Sequence, residues 1–452
     1  MCLRPVLATS VLVFALPNQV SGQESGQARD QGADAQRLSA LDRATRDLGG
    51  AGAAPLGAQN GPLRLLDVSL DLMAAAGVST ERDAVLAELQ GGGHDPRKRG
   101  FTLQQAELTL AGAIDPWLMG KAHMVAFLDP TEGETVFELE EAYITTQQLP
   151  YDLQIKAGTF LTEFGRINAQ HPHQWDWQDQ PVIHTRLFGG DGMRGPGARV
   201  AWLAPTETYA ELFLGVQNAN GETMPSFLAN DEVYEERPVG GRAFAEREVR
   251  SGNDLVYSLR AATSFDLGDE STLGLGASAL FGPNATGGDA DTAIWGVDFA
   301  WRWRPESNRR GYPFWKVQGE FLARSFDAAE QVDEADPLNP VTVPGATLDD
   351  LGGYLQVAHG FAEGWAAGAR VDWVGGSGDN YDVDTQALLS RMGDPFRADR
   401  MRVSPMLTYS PSEFSRIRLQ YNYDDSDHLD DPVHSVWLGF EVLIGTHPPH
   451  TY

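Results

Sequence analysis

From Leu63 onward, apolar and polar residues alternate along the chain with a period of two, interrupted by turn residues. In Leu66-Asp67-Val68-Ser69-Leu70-Asp71-Leu72 every second residue is apolar and its neighbours are small or acidic, so a strand here has one apolar and one polar face. The same alternation runs through Gln105–Leu110, Leu153–Ala157, Glu211–Gln217, Trp315–Phe321 and Ile417–Tyr423. No 3.6-residue period competes over this stretch. Laid end to end, such segments predict sixteen strands, at 63–75, 101–114, 117–129, 136–147, 151–161, 195–204, 208–218, 252–266, 271–282, 291–304, 312–327, 348–361, 363–375, 400–411, 413–424 and 433–446. Short turns around Asp115, Pro150, Pro205, Gly268, Pro305, Ala362 and Pro411 alternate with mostly longer loops.

An even number of strands with short turns on one side and long loops on the other is the pattern of a transmembrane antiparallel β-barrel whose turns face the periplasm. Aromatic rings prefer the lipid headgroup level, and Trp117, Tyr151, Trp202, Tyr209, Phe265, Trp303, Tyr312, Phe361, Trp365, Tyr409 and Phe414 all sit beside the short turns. A secreted β-sandwich would also alternate, but it has no reason to follow that schedule. After the first residues, no apolar run reaches the ~18–20 needed for a membrane helix, so membrane insertion requires a barrel.

At the N-terminus, Arg4, the apolar run Val6–Leu16 and the small residues Val20-Ser21-Gly22 predict a signal peptide over 1–22. Residues 23–61 read as a flexible periplasmic leader, with a short amphipathic patch at Leu38, Leu41, Ala44 and Leu48. The barrel then occupies 62–452. The one cysteine, Cys2, lies in the removable segment, which excludes a disulfide framework, a cysteine zinc site and a thiol nucleophile. With 63 acidic against 34 basic residues, nucleic acid is an improbable partner.

If alternate residues face lipid, their neighbours face a lumen, and about sixteen strands enclose an aqueous channel. Parity assigns to that lumen wall Asp67, Glu107, Lys121, His123, Lys156, Arg260, Asp298, Arg302, Lys316, Glu320, Arg324, Arg370, Asp372, Arg416 and Arg418. Charged walls of both signs sort small hydrophilic solutes by charge and size. The connection 162–194 is the third long loop, the one that folds inward in general porins. Its prolines and paired tryptophans suit a loop held against a wall. Its candidate constriction residues are Arg166, His171, His173, Asp176, Asp179, His184 and Arg186.

His171 and His173, two residues apart, can project the same way from extended chain, with Asp176, Asp179 and His184 nearby in sequence. Imidazoles and carboxylates could bind Zn²⁺ or another divalent cation without a thiol; the alternative is that they only pack and hydrogen-bond the loop. Acidic clusters at Asp424–Asp431 and Asp327–Asp336 mark outer loops that attract cations and could bridge through them to lipopolysaccharide. No Gly-x-Ser-x-Gly element is present, and Gly274-Leu275-Gly276 falls mid-strand, so no enzyme chemistry is expected.

The run from Phe101 to Pro205 resembles the phosphate-selective porin O and P family. The resemblance rests on Asp115-Pro116-Trp117 between paired strands, on Glu141-Ala142-Tyr143-Ile144, and on Lys156-Ala157-Gly158-Thr159-Phe160 leading to Phe164-Gly165-Arg166. The segment Phe164–Asn168, with His171-Pro172-His173 and Trp175-Asp176, is also similar to a group of barrels called zinc-regulated outer-membrane receptors. The porin resemblance implies a substrate-selective outer-membrane diffusion channel, often a homotrimer. The acidic outer loops depart from the basic entrance of a phosphate channel, and the leader is too short for the plug of an energised receptor.

Overall fold

The computed structural model describes residues 66–129 and 133–445. The expected signal peptide and leader, and the last residues with His447 and His450, lie outside these residues. Sixteen strands close into one antiparallel barrel in sequence order. They are β1 Asp67–Ser79, β2 Gly100–Ala113, β3 Leu118–Leu128, β4 Thr135–Thr146, β5 Leu153–Leu161, β6 Arg194–Leu203, β7 Ala210–Asn218 and β8 Leu255–Asp266. The second half is β9 Ser271–Pro283, β10 Asp291–Trp303, β11 Phe314–Ala328, β12 Ala346–Ala362, β13 Trp365–Ser377, β14 Arg400–Ser412, β15 Ser415–Ser426 and β16 Val433–Gly445. Pairing of β1 with β16, from Ser69 opposite Gly445 to Ser79 opposite Ser435, removes the last free edge. Closure matters because an unpaired backbone amide facing hydrocarbon costs several kcal/mol.

Parity follows the expected pattern. Val297, Leu355 and Phe440 are 51%, 44% and 43% exposed on the outer face, while their neighbours Asp298, Gln356 and Glu441 are buried inside. The outer face is therefore apolar around the barrel, and the chain is a bacterial outer-membrane protein in contact with lipid. Trp117, Tyr151, Trp202, Phe265, Phe361, Trp365, Tyr409 and Phe414 are exposed at the short-turn end. Tyr312 departs from that girdle, turning inward to pack with Phe314, Ala358 and Ala366.

The first strand lies four residues later than its hydropathy suggests, because Ala74, Ala75, Ala76 and Gly77 carry no alternation and only pairing defines them. Gly77 leaves space for the buried Trp437 ring, which a Cβ there would strike at 1.9 Å. The loops carry short elements that hydropathy did not reveal: helices α1 Asp83–Leu89, α2 Val182–Phe188 and α3 Asp231–Glu236, and two small hairpins.

The aqueous lumen is less extensive than parity implied. Toward the long-loop end, the inward residues Val256, Leu280, Ile294, Leu322 and Val374 are apolar. They form one buried cluster with Ile183, Leu187 and Phe188 of α2 and Met224, Phe227 and Leu228 of the following long loop. Inward-facing positions are dry wherever a loop brings its own apolar side chains to meet them.

Candidate functional site: the loop across the lumen

The 162–194 loop folds into the barrel and is fastened to strands on several sides. Near β5, Gly165 adopts a positive φ of 58°, and its amide donates to Ser278 Oγ of β9 at 3.1 Å. Arg166 Nε lies 2.9 Å from Asp298 of β10, which also holds Arg260 at 2.7 Å. The amide of Ile167 donates to Glu320 of β11 at 3.0 Å, and His184 Nε2 lies 3.4 Å from the other oxygen of that carboxylate. Asp176 accepts from Lys316 Nζ at 2.6 Å and from Gln356 at 3.1 Å.

The far side of the loop meets β13 to β16. Asp179, 1% exposed, accepts from Arg370, Arg402, Gln420 and Asn422 at 2.7–2.9 Å. Burial opposes its charge, but the two guanidinium groups outweigh that and hold the carboxyl well below the usual carboxylate range. Trp177 Nε1 donates to the Ser404 carbonyl at 2.8 Å. Arg418 donates to the carbonyls of Trp175 and Trp177, and Arg416 to that of His173. Both arginines also pair with Glu441.

A third set of contacts joins the loop to β2, β3 and β4. Glu107 Oε1 lies 2.8 Å from His123 Nδ1, and its Oε2 lies 3.2 Å from His173 Nδ1 and 3.5 Å from His171 Nδ1. His171 Nε2 lies 2.9 Å from Glu141, and His171 Nδ1 lies 3.1 Å from Glu140. Glu140 is also 3.3 Å from His94 Nε2 of the first long loop. These seven side chains are all buried. Burial alone would lower the His171 pKa; Glu107 and the hydrogen bonds to Glu140 and Glu141 outweigh it and raise that pKa well above the ordinary histidine value.

Two adjacent glutamates reach the lumen because of a β-bulge. His123 pairs with Glu141 and Met124 with Leu139, so Glu140 is the extra residue. The bulge turns Glu140 inward while Leu139 stays 54% exposed on the lipid face. A second bulge, where Met73 pairs with Gln105 and Ala74 with Leu103, buries both Gln104 and Gln105.

Most of the predicted lumen-wall residues are enclosed by protein rather than facing an open space, and Asp67, at the start of β1, is half-buried. Glu107, His123, Arg260, Asp298, Glu320, Arg324, Arg370, Asp372, Arg416 and Arg418 are buried against the loops. Lys121, Lys156, Arg302 and Lys316 remain half-buried toward the short-turn end. Arg186 stands apart from the other loop residues, donating to the carbonyls of Arg397 and Ala398 and lying 3.7 Å from Asp350. The expected companions of His171 and His173 within the loop are engaged elsewhere: Asp176 with Lys316, Asp179 with arginines, His184 with Glu320. The partners of these histidines come from the wall instead. Parity did not single out Arg402, Glu441 or Asp424, although all three lie on inward positions of expected strands. His94 sits in a loop with no periodic signal.

A relative in Aquifex aeolicus (strain VF5), an uncharacterized protein, is 30% identical over 418 residues, spanning 86% of this chain and 80% of the relative. The chain belongs to the family of that protein. No family model matches the sequence. Among solved structures, the barrel of this family member is similar in fold to Pseudomonas putida OprB, with 12% identity, a TM-score of 0.51 and coverage of 84% of this chain and 94% of that one. An anion-selective porin from Comamonas acidovorans is 8% identical with a TM-score of 0.49, over 84% of this chain and 99% of that one.

Proposed function

We propose that the protein is an outer-membrane channel for passive diffusion of small hydrophilic or charged solutes, with the 162–194 loop setting its narrowest point. The observation that carries this reading is the placement of the loop. Its side chains and backbone are tied to β2–β4 on one side and to β13–β16 on another. On the short-turn side of the loop, Lys121, Lys156, Glu163, Asp176, Arg302 and Lys316 stay partly accessible. Charges of both signs facing one compartment orient water and select solutes by charge as well as size. No bond chemistry is needed for this role.

Reconstitution in planar bilayers tests the proposal. Purified, folded protein is expected to give discrete conductance steps; a silent bilayer at high protein load contradicts an open pathway.

A further inference from the structure

We infer that Glu107, His123 and His171 form a binding site for a divalent transition cation of the Zn²⁺ class, which joins the inward loop to the wall of the barrel. One donor atom of each residue lies within 4.8 Å of the others. Donors around a tetrahedral zinc ion are about 3.3 Å apart, given metal–donor bonds of about 2.0–2.1 Å. Small rotations of three side chains close that difference. Two imidazoles and one carboxylate suit zinc, cobalt or nickel; magnesium and calcium prefer oxygen-only shells.

The surroundings are those a metal ligand set requires. His171 Nε2 lies 2.9 Å from Glu141, so coordination through Nδ1 leaves the other ring nitrogen donating to a carboxylate. That arrangement fixes the ring and raises its basicity as a ligand. Thr109 Oγ1, 2.9 Å from His123 Nδ1 and 3.0 Å from Glu107 Oε1, orients both residues. The His123 and His171 rings are stacked, with centroids 4.1 Å apart. His123 Nε2 is buried with no hydrogen-bond partner.

Charge points the same way. Glu107, Glu140 and Glu141 converge within hydrogen-bonding reach of His171 or His123, all buried. Coordination needs neutral imidazoles, and in that state the three carboxylates leave an excess of buried negative charge that a divalent cation offsets in place of the proton on His171. A cavity of about 20 Å³, lined by His94, Glu140 and His171 among others, lies beside the cluster. It has room for roughly one water next to His171. The site stands whether or not the barrel conducts, because it needs only the loop seated on the wall.

The test uses the folded full-length barrel, stripped with a chelator, in a His447→Ala/His450→Ala background so that the tail cannot contribute. Equilibrium dialysis with Zn²⁺ is expected to give one bound ion per chain, and Co²⁺ is expected to show the intense absorption of a tetrahedral site. His123→Ala and Glu107→Gln should each weaken binding at least tenfold, whereas His434→Ala should not. Zn²⁺ binding no tighter than that of a His123→Ala/His171→Ala double variant overturns the proposal. So does a wild-type Co²⁺ spectrum of purely octahedral type, a readout that needs no site variant.

Discussion

Gln178 of the inward loop rests directly on Gly439 of β16: a Cβ at Gly439 would lie 2.2 Å from Gln178 Oε1. The same glutamine donates to the carbonyls of Arg418 and Trp437 at 3.1 and 3.3 Å. One missing side chain on the wall thus makes the seat for the loop. Gly439→Ala is expected to lift Gln178, cost roughly 1–3 kcal/mol and lower the temperature at which the barrel loses its folded mobility on gels. Gly393→Ala, where a Cβ would meet nothing within 4 Å, serves as the control. Equal behaviour of the two variants would show that the loop does not bear on that strand.

Asp179 is the point where two buried guanidinium groups from different strands meet one loop carboxylate. Removing one partner of a buried ion pair typically costs about 3–5 kcal/mol. Arg370 and Arg402 keep Asp372 and Asp424, so the loss should fall toward the low end of that range. Hydrogen–deuterium exchange in Asp179→Ala should rise across 170–188 and stay unchanged in the strands facing away. Unchanged protection of the loop would mean the clamp lies elsewhere.

Glu163 makes the loop's anchoring sensitive to acid. Burial works against its charge, yet Lys156 and Arg199, each 3.0 Å away, hold its pKa at about 2, below the usual 4.5. A carboxyl depressed in the folded state stabilises above its unfolded pKa and loses that contribution as pH falls through the folded value. The contribution, roughly 1–3 kcal/mol from a shift of this size, should be present above pH 4.5 and fade toward pH 2. Glu163→Gln should lower the unfolding temperature at neutral pH and flatten its decline over that window. A parallel decline in both proteins would contradict the assignment.

Strand number, order and inward parity were readable from the sequence because a barrel strand has lipid on one side along its whole length, which writes a period of two into residues such as Val297 and Asp298 or Phe440 and Glu441. What stands inside was readable only in part. Glu140 escaped because a bulge breaks the period at the position that matters, and His94 and α2 escaped because a loop's contacts are made by residues distant in sequence. Parity reports that Arg370 and Arg418 turn inward; it does not report that loop carbonyls and Asp179 will cover them. The apolar inward residues Leu280, Ile294 and Leu322 were the available clue that part of the lumen is filled with protein.

Narrowing of the solute path by the 162–194 loop is the central element of the proposed channel. Single-channel conductance of the wild-type barrel and of a variant lacking Gln170–Gln180, recorded in the same salt, tests this directly. The deletion removes the clamped centre of the loop, including His171, Asp176 and Asp179, and the account predicts a higher conductance. Equal conductance in the two proteins would place the narrowest point elsewhere and contradict it.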